Sequence, residues 1–271
     1  MCRLLGIVAS EPTEFRIVLK EAPRSLATLS LQHRDGWGLA IYEDLGAPGW
    51  RLHKGVMCAS EDENFHRLAV GSRGEVMVAH VRQRTVGSSS LPNTHPFQSG
   101  QWVFAHNGTI KDQAFLRART SPARLSELRG ETDSELFFAF LLTRMDSAAV
   151  SDAPVGPATD VAVRDAVREM RGNVALGSYN FILSDGSSSY AHRFGRTLFL
   201  LERGPEDAVR PRRESREGVV VETPWSQRRR AVFVASERLT DEPWEEVAEG
   251  MLLRIDRRPL PSWRLVDARA A

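Results

Sequence analysis

From Arg3 to Ala9 the chain runs Leu-Leu-Gly-Ile-Val-Ala after a single arginine, apolar and β-branched. Such a run predicts a buried strand that starts almost at the first residue. A helix is expected from Glu14 to Lys20, then a loop through Pro23 to His33-Arg34-Asp35-Gly36-Trp37-Gly38, where Asp-Gly and a second glycine signal a tight turn. Leu39 to Tyr42 reads as the next strand. Two further apolar runs, Val76 to Val81 and Trp102 to Ala105, each end in a polar cluster, the place where sheets usually present chemistry. Helices are predicted at Asp62 to Val70, Thr132 to Arg144 and Asp160 to Arg171, the second with Phe, Ala and Leu at helical spacing. After Gly177 the pattern changes to strands at Tyr179 to Leu183, Ser189 to Arg193, Leu198 to Glu202, Val219 to Glu222 and Ala231 to Ala235. Residues 146–157 and 204–218 read as surface excursions, the second strongly charged. Many strands with a few long helices predict an α+β fold with helices packed on sheet layers.

Composition narrows the class. With 271 residues, 42% hydrophobic and 26% charged, the chain suits one large globular domain with its own core. The basic and acidic residues, 36 and 35, cancel to a formal +1, so no net field draws the chain to nucleic acid or to an acidic membrane. The lysines are Lys20, Lys54 and Lys111, the rest of the basic side being arginine. Cys2 and Cys58 make neither a metal spacing nor a disulfide framework, which fits a reducing cytoplasm. His33, His53, His66 and His192 form no ligand spacing either, so no metal or cofactor is expected. The first ten residues lack the charged leader and cleavage site of a signal peptide, and no run approaches the ~18 apolar residues of a membrane span. A soluble cytoplasmic protein is expected.

Four clusters bear chemistry. Cys2 becomes N-terminal if Met1 is removed, and its thiol then sits beside a free α-amine with a pKa of roughly 7.7 to 8.0, so one residue supplies nucleophile and base. The alternative is a small residue after the start codon. In Val103-Phe104-Ala105-His106-Asn107-Gly108 an apolar strand ends in Asn-Gly. The Asn107 amide and the Gly108 N–H can together donate to an oxyanion, roughly 3 to 4 kcal/mol per donor, or the pair can form a hairpin turn. Strand alternation puts His80 and Arg82 on one face, and Arg82 offers a planar fork for a carboxylate, or is a surface arginine. In Gly130-Glu131-Thr132-Asp133-Ser134-Glu135, Thr132 and Glu135 have capping-box spacing. Asp133, in that first turn, can face a cavity and bind an ammonium group.

Taken together and in order, these motifs resemble the class II glutamine amidotransferases of the N-terminal nucleophile superfamily, especially their small stand-alone bacterial members. The matching segments are Met1-Cys2-Arg3-Leu4-Leu5-Gly6, Asp35-Gly36-Trp37-Gly38, His80-Val81-Arg82, Asn93-Thr94-His95-Pro96-Phe97, His106-Asn107-Gly108 and Gly130-Glu131-Thr132-Asp133-Ser134-Glu135. The resemblance implies a four-layer αββα sandwich over residues 2–271. In it Cys2 attacks a γ-carboxamide, Asn107 and Gly108 form the oxyanion hole, Arg82 holds the substrate α-carboxylate and Asp133 its α-ammonium. His106 and His95 are expected beside the substrate, His95 through a hydrogen bond that fixes its loop. Where many family members continue Trp-Ala-Thr-His-Gly after the arginine, this chain has Gln83-Arg84-Thr85-Val86-Gly87. No synthase domain follows the sandwich, so the expected activity is hydrolysis of a γ-glutamyl amide to release glutamate. The rival is a glutaminase subunit or glutamyl-binding module that serves a separate ammonia-accepting protein.

Overall fold

The first strand sorts its side chains by parity. In the computed structural model, which describes residues 2–44, 48–84, 87–205, 213–214, 220–221 and 229–266, β1 (Arg3–Glu14) sends Leu5, Ile7 and Ala9 to one core and Leu4 and Val8 to another. Both faces are apolar because β1 lies inside a sheet covered on both sides.

That sheet has the order β13-β9-β12-β1-β4-β2-β3. Its members are β2 (Trp37–Glu43), β3 (Gly49–Gly55), β4 (Arg73–Val81), β9 (Phe199–Arg203), β12 (Ala231–Ala235) and β13 (Glu245–Glu246). The second sheet, β15-β14-β8-β7-β6-β5, is built from β5 (Phe97–Ser99), β6 (Trp102–Ile110), β7 (Gly177–Ser184), β8 (Ser188–His192), β14 (Leu252–Asp256) and β15 (Ser262–Leu265). Every strand pairing in both is antiparallel. A separate two-strand ladder joins β10 (Arg213–Glu214) and β11 (Val220–Val221).

Three cores define four layers. One lies between the sheets, where Leu4, Val8, Val76 and Val78 meet Val103, Ala105 and Ile182. The outer face of the first sheet is covered by Phe15, Val18 and Leu19, by α1 (Leu26–Ser30) and by α2 (Glu63–Gly71). Helices α3 (Gln113–Arg117), α5 (Asp133–Ser147) and α6 (Pro157–Arg171) cover the other sheet, burying Phe137, Phe140, Leu141, Val163 and Met170 on Phe104, Phe181 and Tyr190. α4 (Pro122–Ser126) packs beside α5. The expected αββα sandwich is therefore the observed one. No helix among the described residues is long and apolar enough to cross a membrane.

Several boundaries differ from the sequence reading. The helix expected from Glu14 to Lys20 is instead the end of β1 followed by a single π-helical turn, Ile17–Glu21. β6 does not stop at Ala105 but runs on through Asn107 and Gly108 to Ile110, in register with β7. α6 begins at Pro157, where proline is favoured because its missing N–H is an orphan anyway. Of the strand expected at Val219 to Glu222, only Val220–Val221 falls within the described residues, and most of 204–218 lies outside them. Residues 148–156 join α5 to α6 and are held against β6, where the Ser151 carbonyl accepts the Trp102 indole N–H at 2.7 Å.

Candidate active site

The start of β1 is held from both sides. Leu4 exchanges bonds with Ser236, its N–H reaching Oγ at 3.0 Å and its carbonyl accepting the Ser236 N–H at 2.9 Å. Arg3 pairs with Glu237 and lies opposite Val81 of β4. Continuing that register puts Cys2 opposite Arg82, with the parity of Leu4, at the mouth of the space between the sheets. The half-buried Cys2 Sγ rests on the Gln83 backbone, 3.4 Å from both its N–H and its carbonyl oxygen. Burial pushes the thiol above its ordinary value; the Gln83 backbone bond and the positive charge of Arg82 pull it down, and Asp133 pushes it up.

Arg82 is fixed by the Asp35-Gly36 turn: its N–H donates to the Gly36 carbonyl at 2.8 Å, and its own carbonyl accepts the Asp35 N–H at 3.0 Å. The Asp35 carboxylate also accepts the Arg84 N–H at 2.8 Å. A glycine is required at 38 because a Cβ there would stand 2.0 Å from the His95 carbonyl oxygen. The Arg82 side chain is 3% exposed, not the surface arginine of the alternative reading, and its Nη1 donates to the Ser88 carbonyl at 2.9 Å.

On the facing sheet, Asn107 shares the parity of Val103 and Ala105 and so faces the space between the sheets. The hairpin-turn alternative for Asn107-Gly108 is excluded, since both residues are paired to β7, opposite Asn180 and Tyr179. A side chain at 108 would place Cβ 2.0 Å from the Ser178 carbonyl oxygen. The Tyr179 N–H donates to the Phe194 carbonyl at 2.9 Å, so Tyr179 bonds away from β6. Its opposite number Gly108 therefore directs its N–H away from β7, to the edge of β6 that the short β5 leaves uncovered. On the same edge, two residues on, the Ile110 N–H donates to Asp133 Oδ2 at 2.6 Å.

Asp133 is 5% exposed and opens α5. Thr132 caps that helix as expected, its Oγ accepting the Glu135 N–H at 3.2 Å. The reciprocal half of the capping box is absent: Glu135 accepts from the N–H groups of Arg129 and Gly130, at 2.9 and 2.7 Å. His106 has both ring nitrogens engaged, with Ser134 Oγ at 2.8 Å and the Ser178 carbonyl at 3.3 Å, so it ties β6 to α5 and β7. His95 makes no hydrogen bond through its ring among the described residues. The ring packs instead on His80 and Phe97, at 4.2 and 4.6 Å between centroids, and the loop's hydrogen bonds come from Asn93 and Thr94. Burial pushes His95 and His106 below the ordinary imidazole range and holds His80 at about 3, so the three stand neutral.

Arg82 and Asp133 each bear on the Cys2 thiol, and Asn107 and Gly108 stand on the strand that faces β1 and β4. The sequence reading gave no role to Asp35 or Asn93, although both sit in its motifs. It also missed Asn180, whose only signal was a polar residue inside an apolar strand; its amide is fully engaged by Phe194, Arg196 and Thr197. No cluster of three metal-ligating side chains occurs among the described residues. Cys58 is buried against Ser30 and Ser60, remote in role from Cys2.

Comparison with known proteins adds the context. The family model "Glutamine amidotransferases class-II" matches residues 1–260. A Haemophilus influenzae protein named "Putative glutamine amidotransferase" is 28% identical over 210 residues, covering 76% of this chain and 67% of that protein. The gamma-glutamyl-hercynylcysteine sulfoxide hydrolase of Mycobacterium tuberculosis is 28% identical over 213 residues, covering 75% of this chain and 81% of its own. A crystal structure titled "predicted glutamine amidotransferase", from Pseudomonas aeruginosa, superposes with a TM-score of 0.63 at 27% identity, covering 93% of this chain and 96% of that one.

Proposed function

Since the chain belongs to the class II glutamine amidotransferases, we propose that it is an amidohydrolase that cleaves the γ-glutamyl amide bond of glutamine or a γ-glutamyl conjugate. Removal of Met1 frees the α-amine of Cys2, which takes the thiol proton. The thiolate sulfur adds to the γ-carbonyl carbon, and the oxyanion is held by the Asn107 amide and the Gly108 N–H. Collapse breaks the C–N bond as the Cys2 α-ammonium gives its proton to the leaving nitrogen, which departs as ammonia or an amine. Water then gives a proton to the Cys2 α-amine and adds to the thioester through the same oxyanion site; the C–S bond breaks, glutamate leaves, and the thiolate takes that proton back. Arg82 binds the α-carboxylate and Asp133, through the oxygen not given to Ile110, the α-ammonium. His106 and His95 back the site rather than touch the substrate.

The observation that carries this reading is positional: Cys2 and Arg82 extend the paired strands β1 and β4 side by side, and Asp133 is bonded to Ile110 on the β6 edge to which the Gly108 N–H points, so groups matched to the two charged ends of an amino acid flank the nucleophile and the oxyanion donors. The hydrolase name of the mycobacterial relative supports hydrolysis without an ammonia-accepting partner. The test is glutamate release by Met1-free protein from glutamine, glutathione and other γ-glutamyl amides. Release from one member that Cys2→Ala abolishes supports the enzyme; none from any member favours a subunit that needs a partner.

A further inference from the structure

Arg82 and Asp133 belong to different layers, one at the end of β4 and the other at the start of α5, yet an amino acid held by both needs their separation fixed. One buried carboxamide joins them. Asn93, 1% exposed, donates from Nδ2 to the Ser88 carbonyl at 3.0 Å and reaches Ser88 Oγ at 3.3 Å. The same Ser88 carbonyl accepts Arg82 Nη1 at 2.9 Å. At its other end, Asn93 Oδ1 accepts the Glu131 N–H at 2.8 Å, two residues before Asp133. Asn93 is itself set by a turn, with its N–H on the Ser90 carbonyl and Thr94 Oγ on the same carbonyl at 2.9 Å.

The backbone is built around this amide. A Cβ at Gly130 would stand 2.4 Å from Asn93 Oδ1, and one at Gly87, whose φ is +72°, 2.9 Å from Nδ2. Aspartate at 93 keeps the acceptor for Glu131 but has no donor, setting oxygen against the Ser88 carbonyl. Leucine keeps the shape and loses both ends.

We propose that Asn93 is a positioning residue that sets the distance between Arg82 and Asp133, so that the site selects ligands bearing both an α-carboxylate and an α-ammonium. The proposal rests on the functional reading above for those two residues. A fixed separation rewards ligands that use both groups at once, because the second contact is then made without further ordering. Misplacing one group penalises such ligands more than ligands that use only one.

The experiment compares wild type, Asn93→Asp and Asn93→Leu on L-glutamine and on glutaramate, the same amide without the α-amine. Alkylation of Cys2 by iodoacetamide, which uses neither Arg82 nor Asp133, reports an intact nucleophile and fold. Both variants are expected to raise KM for L-glutamine by about tenfold, with kcat, glutaramate hydrolysis and the alkylation rate near wild type. Equal losses on both amides, or a parallel loss in alkylation, assign Asn93 a merely structural role and overturn the proposal, as does an unchanged KM for L-glutamine. Asp133→Asn separates the two failures. If it too leaves discrimination between the amides unchanged, the functional reading has failed and the proposal with it; if it abolishes that discrimination while the Asn93 variants do not, only the proposal has.

Discussion

Asp133 has two tasks that substitution can pull apart. Its Oδ2 accepts the buried Ile110 N–H at 2.6 Å, and its charge sits in the first turn of α5. Asp133→Asn keeps an acceptor for Ile110 but turns a charge-assisted bond of about 1.5–3 kcal/mol into a neutral one of about 0.5–1.5. It also gives up about 0.3–1 kcal/mol of favourable interaction with the helix N-terminus. The expected loss of stability is about 1–2 kcal/mol. Asp133→Ala gives up the same dipole interaction and strands a buried donor, at about 1–3 kcal/mol for the donor alone, so about 1.3–4 kcal/mol in all. For the proposed substrate contact the two variants are equivalent, because both remove the anion assigned to the α-ammonium. Truncating one partner of a buried charge pair costs at least about 2 kcal/mol, a rise in KM of at least about thirtyfold. Urea unfolding and steady-state kinetics on the best γ-glutamyl substrate check both parts. Equal stability of the two variants would refute the role given to the Ile110 bond, and a KM within about twofold of wild type in Asp133→Asn would refute the ammonium contact.

Other expectations follow from the same geometry. Gly108→Ala sets a methyl carbon against the Ser178 carbonyl, 2.0 Å from its oxygen in the undisturbed backbone, so glutamate release should fall below detection and the urea midpoint should drop. Asp160 accepts the Tyr190 hydroxyl at 2.6 Å and Arg254 at 3.1 Å and pairs with Arg264; Asp160→Ala strands these partners and should destabilise the fold by about 3–5 kcal/mol in urea unfolding. Burial holds His192 at about 4 against an ordinary 6.5, so the unfolded chain takes up a proton that the fold refuses. Stability is therefore full above pH 6.5 and falls as pH drops toward 4, and His192→Gln should flatten that slope in unfolding curves measured across the window. In protein that retains Met1, the iodoacetamide rate should rise through a pKa above the ordinary thiol value of 9.0, and Met1-free protein should titrate lower, with its α-amine as base.

What was legible in the sequence was whatever a strand or helix states locally. β1 and β4 were readable as short unbroken apolar runs buried on both faces, α2 as an apolar stripe at the helical period, and α5 as an apolar run of helix length. β3 was missed because Arg-Leu-His-Lys sits on a sheet edge, where half-buried polar residues replace the apolar signal. β14 and β15 went unread, β15 likewise being an edge strand. α1, α3 and α4 have five residues each, too short for periodicity to speak. Cys2, Arg82, Asn107, Gly108 and Asp133 were singled out through ordered motifs, and the structure sets Arg82 and Asp133 where each bears on the Cys2 thiol. Which oxygen of Asp133 is already engaged, and that Glu135 serves Arg129 and Gly130, depend on backbone groups that come together only in three dimensions.

The continuation of β6 through Asn107 and Gly108 bears on how such a site diversifies. Both proposed oxyanion donors belong to a strand zipped to β7 on one side and roofed by α5, so insertions and exchanges in the surrounding loops leave them where they are. The bond-breaking apparatus and the surface that chooses the departing amine are then separate inheritances. On the proposed reading the first is locked into the sheet, and the second is left to loops that can change without moving it.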